Sequence, residues 1–283
     1  MLFLGKPISA GKFMIRFPNC KINIGLYITN KRADGYHDLE TVFYPVQLCD
    51  ALEIVPAEET KLYLSGKAVA GNEQDNLVWK AYTMLQQQFP DKVKPVAIYL
   101  HKAIPMGAGL GGGSADGAFM LQLVNDFFEL ELDKKQLAER ALQLGSDCPF
   151  FIENKPVFAK GRGEEMMRVP LNLSNYSIQL VCPDIHISTK EAFALITPKP
   201  STMNLQKLHE LPVVAWNEYV YNAFELPVCK KYPVIKEIID QLYVQGAIYA
   251  AMSGSGSAVY GIFAKGRKAV ITSEIQFEDH YIE

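Results

Sequence analysis

Five glycines fall between Gly107 and Gly113, within the stretch PMGAGLGGGSADGA that runs from Pro105 to Ala118. A segment serving only a hydrophobic core would carry side chains there. Glycines beside the first turn of a helix serve a different end. The N–H groups of that turn lack intrahelical partners and their dipoles sum to a partial positive charge, so they can hold an anion without a cationic side chain. A Cβ would keep phosphate oxygens away from those N–H groups and would forbid the positive φ angles that such a wrap needs. Pro105 to Ala115 therefore reads as a phosphate cradle. The competing reading is a flexible turn whose small residues allow close packing.

The residues after the last glycine narrow the type of cradle. The Walker pattern requires Lys-Ser or Lys-Thr at that point, and Gly113 is succeeded by Ser114-Ala115, which excludes it. Gly107-Ala108-Gly109-Leu110-Gly111-Gly112 satisfies G-x-G-x-x-G, the dinucleotide pattern. That pattern starts at a strand's end and is followed, roughly twenty residues on, by an acidic residue closing a second strand. Here Pro105 interrupts the approach, and the downstream segment from Asp133 reads as a capped helix start.

The elements that must position the glycines are legible in the periodicity. Val96-Ala97-Ile98-Tyr99-Leu100 is β-branched and apolar enough for a buried strand, and the run from Ala118 to Leu123 reads as a helix. From Cys20 to Val46 two β-rich runs flank Asp34-Gly35, a hairpin signal. Strands are expected at Leu52–Val55 and Leu62–Leu64. A helix should start near Asp75-Asn76, with Leu77, Val78, Ala81, Tyr82, Leu85 and Phe89 on one face. Another should be opened by Asp133, with Gln136 as capping-box partner, and closed by Gly145. Farther on, PVFAKGRGEEM reads as strand then loop, YSIQLVCP and AVYGIF as strands, and Trp216–Leu226 and Val234–Leu242 as helices. Without a regular βαβ cadence the pattern predicts an α+β chain in two domains, 14–162 and 163–283, with the boundary at Gly161-Arg162-Gly163. Residues 1–13 carry no periodicity and read as a dispensable leader or an upstream start.

Composition limits the partners. With 28 basic and 31 acidic residues the net charge is −3, which supplies no basic field for bulk nucleic-acid binding and no polybasic membrane anchor. An anion must be gripped locally. Cys20, Cys49, Cys148, Cys182 and Cys229 are scattered and lack C-x-x-C spacing, so neither a disulfide framework nor a zinc site is expected, and a reducing cytoplasm fits. No apolar run reaches spanning length, and the start lacks a signal-peptide pattern.

Three separated pieces, Lys21-Ile22-Asn23, Pro105 to Ala115 and Ser253-Gly254-Ser255-Gly256-Ser257-Ala258, are arranged as in the small-molecule kinases that include galactokinase, homoserine kinase, mevalonate kinase and phosphomevalonate kinase. Within that superfamily RADGYHDLETVF, GLGGGSAD, LGSDCPFF and GRGE resemble the 4-diphosphocytidyl-2-C-methyl-D-erythritol kinase family, and the likeness runs over most of the chain from about Cys20. The resemblance implies a domain like the second domain of ribosomal protein S5 followed by a ferredoxin-like domain, with the active site in the cleft between them. It implies ATP carried with Mg2+, a cytidine diphosphate-linked methylerythritol as the small-molecule acceptor, and phosphorylation of its 2-hydroxyl in the non-mevalonate isoprenoid pathway. No protein ligand to the metal is assigned, no nucleic acid or membrane partner is expected, and the oligomeric state is left open.

Residue by residue, the resemblance gives the ATP phosphates to Pro105, Met106, Gly107, Ala108, Gly109, Leu110, Gly111, Gly112, Gly113, Ser114 and Ala115, with Ser253, Gly254, Ser255 and Gly256 nearby. Unaided, SGSGSA is equally a tight turn before an edge strand. Asp147 takes the role of base for the acceptor hydroxyl, where positioning and charge stabilisation dominate phosphoryl transfer. Its plain alternative is a turn cap next to Pro149. Lys21 is similar to the lysine that polarises the acceptor, and Asn23, two residues on, shares its face. The alternative for Lys21 is an exposed position in the alternating C-K-I-N-I. Tyr36 and His37 correspond to the cytosine-holding positions and Phe193 to the aromatic that closes the stack, by ring contact and hydrogen bonds to the base edge. All three could instead be ordinary turn and loop residues. Gly117 stands where many members have alanine, and Asp116 is expected to point away from phosphate. A kinase acting on another alcohol, or an RNA-binding module on an S5-like fold, are the competing functions; the acidic balance speaks against the second.

Overall fold

The computed structural model describes residues 13–69 and 71–283; the leader expected over 1–13 lies, apart from Phe13, outside the described residues. The first sheet has the order β1-β4-β6-β5, built from β1 (Met14–Arg16), β4 (Ala51–Pro56), β6 (Val96–Lys102) and β5 (Lys61–Gly66). Between β1 and β4 the chain runs through two long strands, β2 (Asn19–Lys31) and β3 (His37–Cys49). They pair antiparallel about the Asp34-Gly35 turn, as the hairpin signal predicts. This pair extends through β7 (Val157–Gly161) and β8 (Glu165–Arg168) into a second sheet, β2-β3-β7-β8.

Four helices cover the first sheet: α1 (Leu77–Gln88), α2 (Gly112–Phe127), α3 (Lys134–Leu144) and the short α4 (Phe150–Glu153). Capping chemistry explains where two of them start. Asn76 caps α1 by accepting from the Val78 N–H, and Val78, Ala81, Tyr82 and Leu85 form its buried stripe. Asp133 and Gln136 make a reciprocal capping box for α3, which stops at Gly145. These stripes meet Leu52, Ile54, Ile98 and Leu100 in one continuous core.

The third sheet has the order β10-β11-β9-β12, from β9 (Tyr176–Pro183), β10 (Tyr249–Met252), β11 (Val259–Ala264) and β12 (Phe277–Ile282). One face meets Cys20, Ile22 and Ile24 of β2 in a second core with Trp216 and Tyr260. The other is covered by α5 (Thr189–Ala194), α7 (Glu225–Lys231) and α8 (Pro233–Val244), with Ile235, Ile238 and Leu242 turned inward.

Two expectations from periodicity are corrected. The helix expected over Trp216–Leu226 is interrupted: α6 (Trp216–Tyr219) ends where Val220 is extended, and α7 begins at Glu225. The intervening backbone is taken by β2, since the Leu26 N–H donates to Tyr221 O at 2.9 Å and the Ala223 N–H donates to Leu26 O at 2.7 Å. Those bonds replace helical ones. The segment after PVFAKG is a second strand, not a loop, because β8 pairs with β7 in an antiparallel hairpin. A boundary at 162/163 thus falls inside the turn of that hairpin, whose hydrogen bonds carry the second sheet to Arg168. Among the described residues no helix is long and apolar enough to cross a membrane.

Candidate active site

The glycine loop spans the gap between β6 and α2. Gly107, Gly109 and Gly111 all have positive φ (70°, 79° and 70°), and Gly111 is the N-cap residue of α2. The first N–H groups of α2 consequently open toward the loop. The loop is tied from behind by its own carbonyls: Lys21 N–H donates to Leu110 O at 2.9 Å and Ala258 N–H to Ala108 O at 3.1 Å. The Ser253 hydroxyl donates to Gly109 O at 3.0 Å and accepts from the Asn23 N–H at 3.2 Å. The two glycine-rich segments are thus back to back. A Cβ on Gly109 would stand 2.1 Å from Ser253 O, and one on Gly254 would stand 3.2 Å from Gly109 Cα.

Lys21 is buried on β2, and its ammonium donates to Asn23 Oδ1. It lies 3.5 Å from Asp147 Oδ2 and 4.7 Å from the centroid of the Phe43 ring. A buried cation needs such partners to offset its lost hydration. Asn23 is fixed in turn by donating from Nδ2 to Thr41 Oγ1 at 3.1 Å. Asp147 comes just after the Gly145 stop of α3, and its side chain is 32% exposed against 5% for Lys21. The carboxylate therefore faces the cavity with the ammonium behind it. Burial pushes the neighbouring Cys148 thiol up to about 12, so this cysteine stays a neutral neighbour at pH 7.

A cavity of about 1010 Å³ collects Lys21, Asn23, Asp147, Gly107, Gly109 and Gly111 with Gly254 and Ser255. Part of its wall is aromatic. Tyr36, His37 and Phe193 all line it, and His37 stacks on Phe193 with ring centroids 4.7 Å apart at 20°. A base sandwiched between two rings needs their planes about 7 Å apart, so His37 must swing off Phe193 to admit one there.

The other residues of the two glycine-rich segments divide between the core and the surface. Ala108, Leu110 and Ala115 bury their side chains in the core, and Ser253 is wholly buried in its backbone ties. Gly112 is packed under Ile104, and a Cβ on Gly256 would meet Met252 Sδ at 2.7 Å. Pro105 and Met106 sit at the entry, with Met106 exposed, while Gly113 and Ser114 are half-buried on the first turn of α2. Asp116 turns inward to Lys102, away from the loop's open side. Sequence reasoning passed over Phe43, Thr41, Arg162 and Lys190. Arg162 lines the cavity with its guanidinium 5.0 Å from the Tyr36 ring centroid, and Lys190 lines it from α5. Their signal lay in GRGE and HISTKEA, where a basic residue stands beside a motif position. Among the described residues no cluster of three or more His, Cys, Asp or Glu forms a metal-ligand set.

Chemically this cavity joins the glycine loop, three aromatic side chains and the basic Lys21, Lys31, Arg162 and Lys190 to the carboxylate of Asp147. The GHMP kinases N terminal domain matches residues 76–155 and the GHMP kinases C terminal domain matches 205–276. The chain is 52% identical over 259 residues to the 4-diphosphocytidyl-2-C-methyl-D-erythritol kinase of Bacteroides fragilis, covering 90% of this chain and 94% of that protein. It is 46% identical over 255 residues to the Porphyromonas gingivalis enzyme of the same name, covering 88% and 92%. A crystal structure of a 4-(cytidine 5'-diphospho)-2C-methyl-D-erythritol kinase superposes with a TM-score of 0.76 at 30% identity, covering 88% of this chain and 90% of that one. Cleft, glycine loop and relatives agree, and the chain belongs to the 4-diphosphocytidyl-2-C-methyl-D-erythritol kinase family of the GHMP kinases.

Proposed function

We infer that this chain transfers the γ-phosphoryl group of ATP to the 2-hydroxyl of 4-diphosphocytidyl-2-C-methyl-D-erythritol, a step in the non-mevalonate route to isoprenoid precursors. The observation that carries this reading is the Lys21–Asp147 pair, 3.5 Å apart, lining the same cavity as the positive-φ glycines. In-line transfer asks a protein mainly to hold the two reactants and neutralise spread charge. The amides of 107–115 are the donors for the triphosphate. Mg2+ comes with the nucleotide and neutralises its phosphates. Asp147 accepts the proton of the acceptor hydroxyl, and Lys21 holds that carboxylate and the nascent alkoxide. The cation-lined wall at Arg162 and Lys190 suits a diphosphate linker. Tyr36, His37 and Phe193 suit a cytosine. The architecture is read as an S5-like first domain running through β8 and a ferredoxin-like second domain after it, with the site between them. Four antiparallel strands backed by α5, α7 and α8 support the second assignment.

The test is ADP release with the purified chain, ATP and Mg2+, offered the cytidylated methylerythritol, homoserine or mevalonate in turn. Turnover confined to the first is expected; turnover only with another alcohol overturns the reading.

His37→Ala should raise the KM for the cytidylated acceptor by about five- to tenfold, the worth of one lost aromatic contact, with the KM for ATP unchanged. Steady-state kinetics with each substrate varied separately check this. An unaltered acceptor KM would remove His37 from base recognition.

A further inference from the structure

Beneath the glycine loop lies a buried charge cluster that the phosphoryl-transfer reading leaves unused. Lys102, the last residue of β6, has its side chain 1% exposed and its ammonium set between Asp50 and Asp116, with Asp116 Oδ2 at 2.6 Å. Asp50 also accepts from the Ala103 N–H at 2.6 Å and from the Ile104 N–H at 2.8 Å. Those are the two residues before Pro105. Asp116 belongs to the first turns of α2, and a Cβ placed on Gly112 would stand 3.5 Å from Lys102 Nζ. Both ends of the loop are therefore fastened to one ammonium.

The charges do not balance. One ammonium meets two carboxyls in a site closed to water, which leaves a negative charge in excess unless one carboxyl keeps its proton. The hydrogen bonds identify the holder. Asp50 has donors for both oxygens, whereas Asp116 Oδ1 is buried with no donor among the described residues. Asp50 and Asp116 crowd the same ammonium, that of Lys102. A proton on Asp116 makes one of its oxygens a donor and turns repulsion between the carboxyls into a bond. Burial pushes the Asp116 carboxyl up to about 8, against the pull of Lys102. From the neighbouring elements the charged groups that act on it are Lys102 on β6 and Asp50 between β3 and β4; Lys21, on β2, is turned to Asp147.

We propose that Asp116 is a positioning residue for the phosphate-binding loop, acting as a neutral carboxylic acid that shares its proton with Asp50 and so keeps Lys102 clamped between β6 and α2. The proposal rests on the reading of 105–115 as the nucleotide loop. Below the titration of Asp116 the clamp is neutral and the loop is held. Above it, two carboxylates share one ammonium and repel each other, which strains the clamp between β6 and α2.

The test is ATP affinity of the full chain by titration calorimetry at pH 7 and pH 9, at fixed Mg2+, for the wild type and for Asp116→Asn, which mimics the protonated acid. The wild type should lose about tenfold in ATP affinity over this interval, while Asp116→Asn varies by less than about twofold. The affinity for the cytidylated acceptor, bound at the other end of the cleft, should stay level in both, which a general loss of structure would not permit. Parallel loss of ATP affinity in the two proteins overturns the proposal. Should the variant fail to fold, infrared spectra of the wild type decide: a protonated-carboxyl band present at pH 7 and lost by pH 9 supports the proposal, and its absence at pH 7 refutes it. A wild type that binds no ATP at either pH refutes the nucleotide reading instead, and the infrared band still reports on Asp116.

Discussion

Asp147→Asn is expected to lower turnover by at least about 10²-fold while leaving the affinity for ATP within about twofold. The reasoning is geometric. In the proposed function the nucleotide is gripped by main-chain amides between Gly107 and Ala115, and the hydrogen bonds that hold this loop do not include the Asp147 side chain. The carboxylate sits at the cavity wall, 32% exposed, with Lys21 Nζ 3.5 Å behind it. An amide of the same shape keeps the packing but cannot accept the hydroxyl proton. It also leaves the Lys21 ammonium, 5% exposed, without its anionic neighbour. Asp147→Asn and Lys21→Ala should combine far from additively, because the two side chains are in contact. Single-turnover rates with saturating ATP, together with equilibrium ATP binding, check the expectation. Turnover within about threefold of wild type would take the proton-accepting role away from Asp147.

Gly109→Ala is expected to cost at least about 2 kcal/mol of stability and to raise the KM for ATP by tenfold or more, on the order expected for forced backbone strain at a binding loop. Two independent causes act at this residue. Its φ of 79° lies in the left-handed region that a side chain disfavours, and the added Cβ would stand 2.1 Å from Ser253 O. Ser253 cannot give way easily. Its N–H donates to Ala258 O at 2.8 Å and its hydroxyl bridges Gly109 O and the Asn23 N–H. The strain would pass through Asn23 to Lys21. Thermal unfolding and ATP titration of the variant measure the two effects, and a melting temperature lowered by roughly 4 °C or more is the expected scale. Unchanged melting with unchanged KM would mean that the two glycine segments do not press on each other in solution.

Local chemistry makes much of this fold legible in the residues alone. Capping residues placed the start of α1 within a residue or two and that of α3 at Asp133 itself, because an N-cap hydrogen bond reaches only two or three positions along the chain. The Asp34-Gly35 turn declared the β2–β3 hairpin for the same reason, and the glycine run announced a strand-to-helix loop. The helix over Trp216–Leu226 failed because Leu26, far away in the chain, captures the backbone at Tyr221 and Ala223. Strand β8 was missed because a four-residue strand has too little pattern to stand out, and only its pairing with β7 defines it.

The site divides along the same line. Residue types and spacing alone pointed to a bare-backbone loop between β6 and α2 suited to an anion, since the requirement is local to one turn. Motif order linked Lys21, Asp147, Tyr36, His37 and Phe193 to one family, without saying how they meet. Only the tertiary approach of β2 to the turn after α3 brought Lys21 to Asp147, and only the packing of β2 against the third sheet set the SGSG segment against the glycine loop. Only burial gave Asp116 its place with Lys102 and Asp50. Hydrogen-bond geometry within a turn is written in neighbouring residues, whereas ion pairs and desolvation depend on residues that approach one another after the chain has folded.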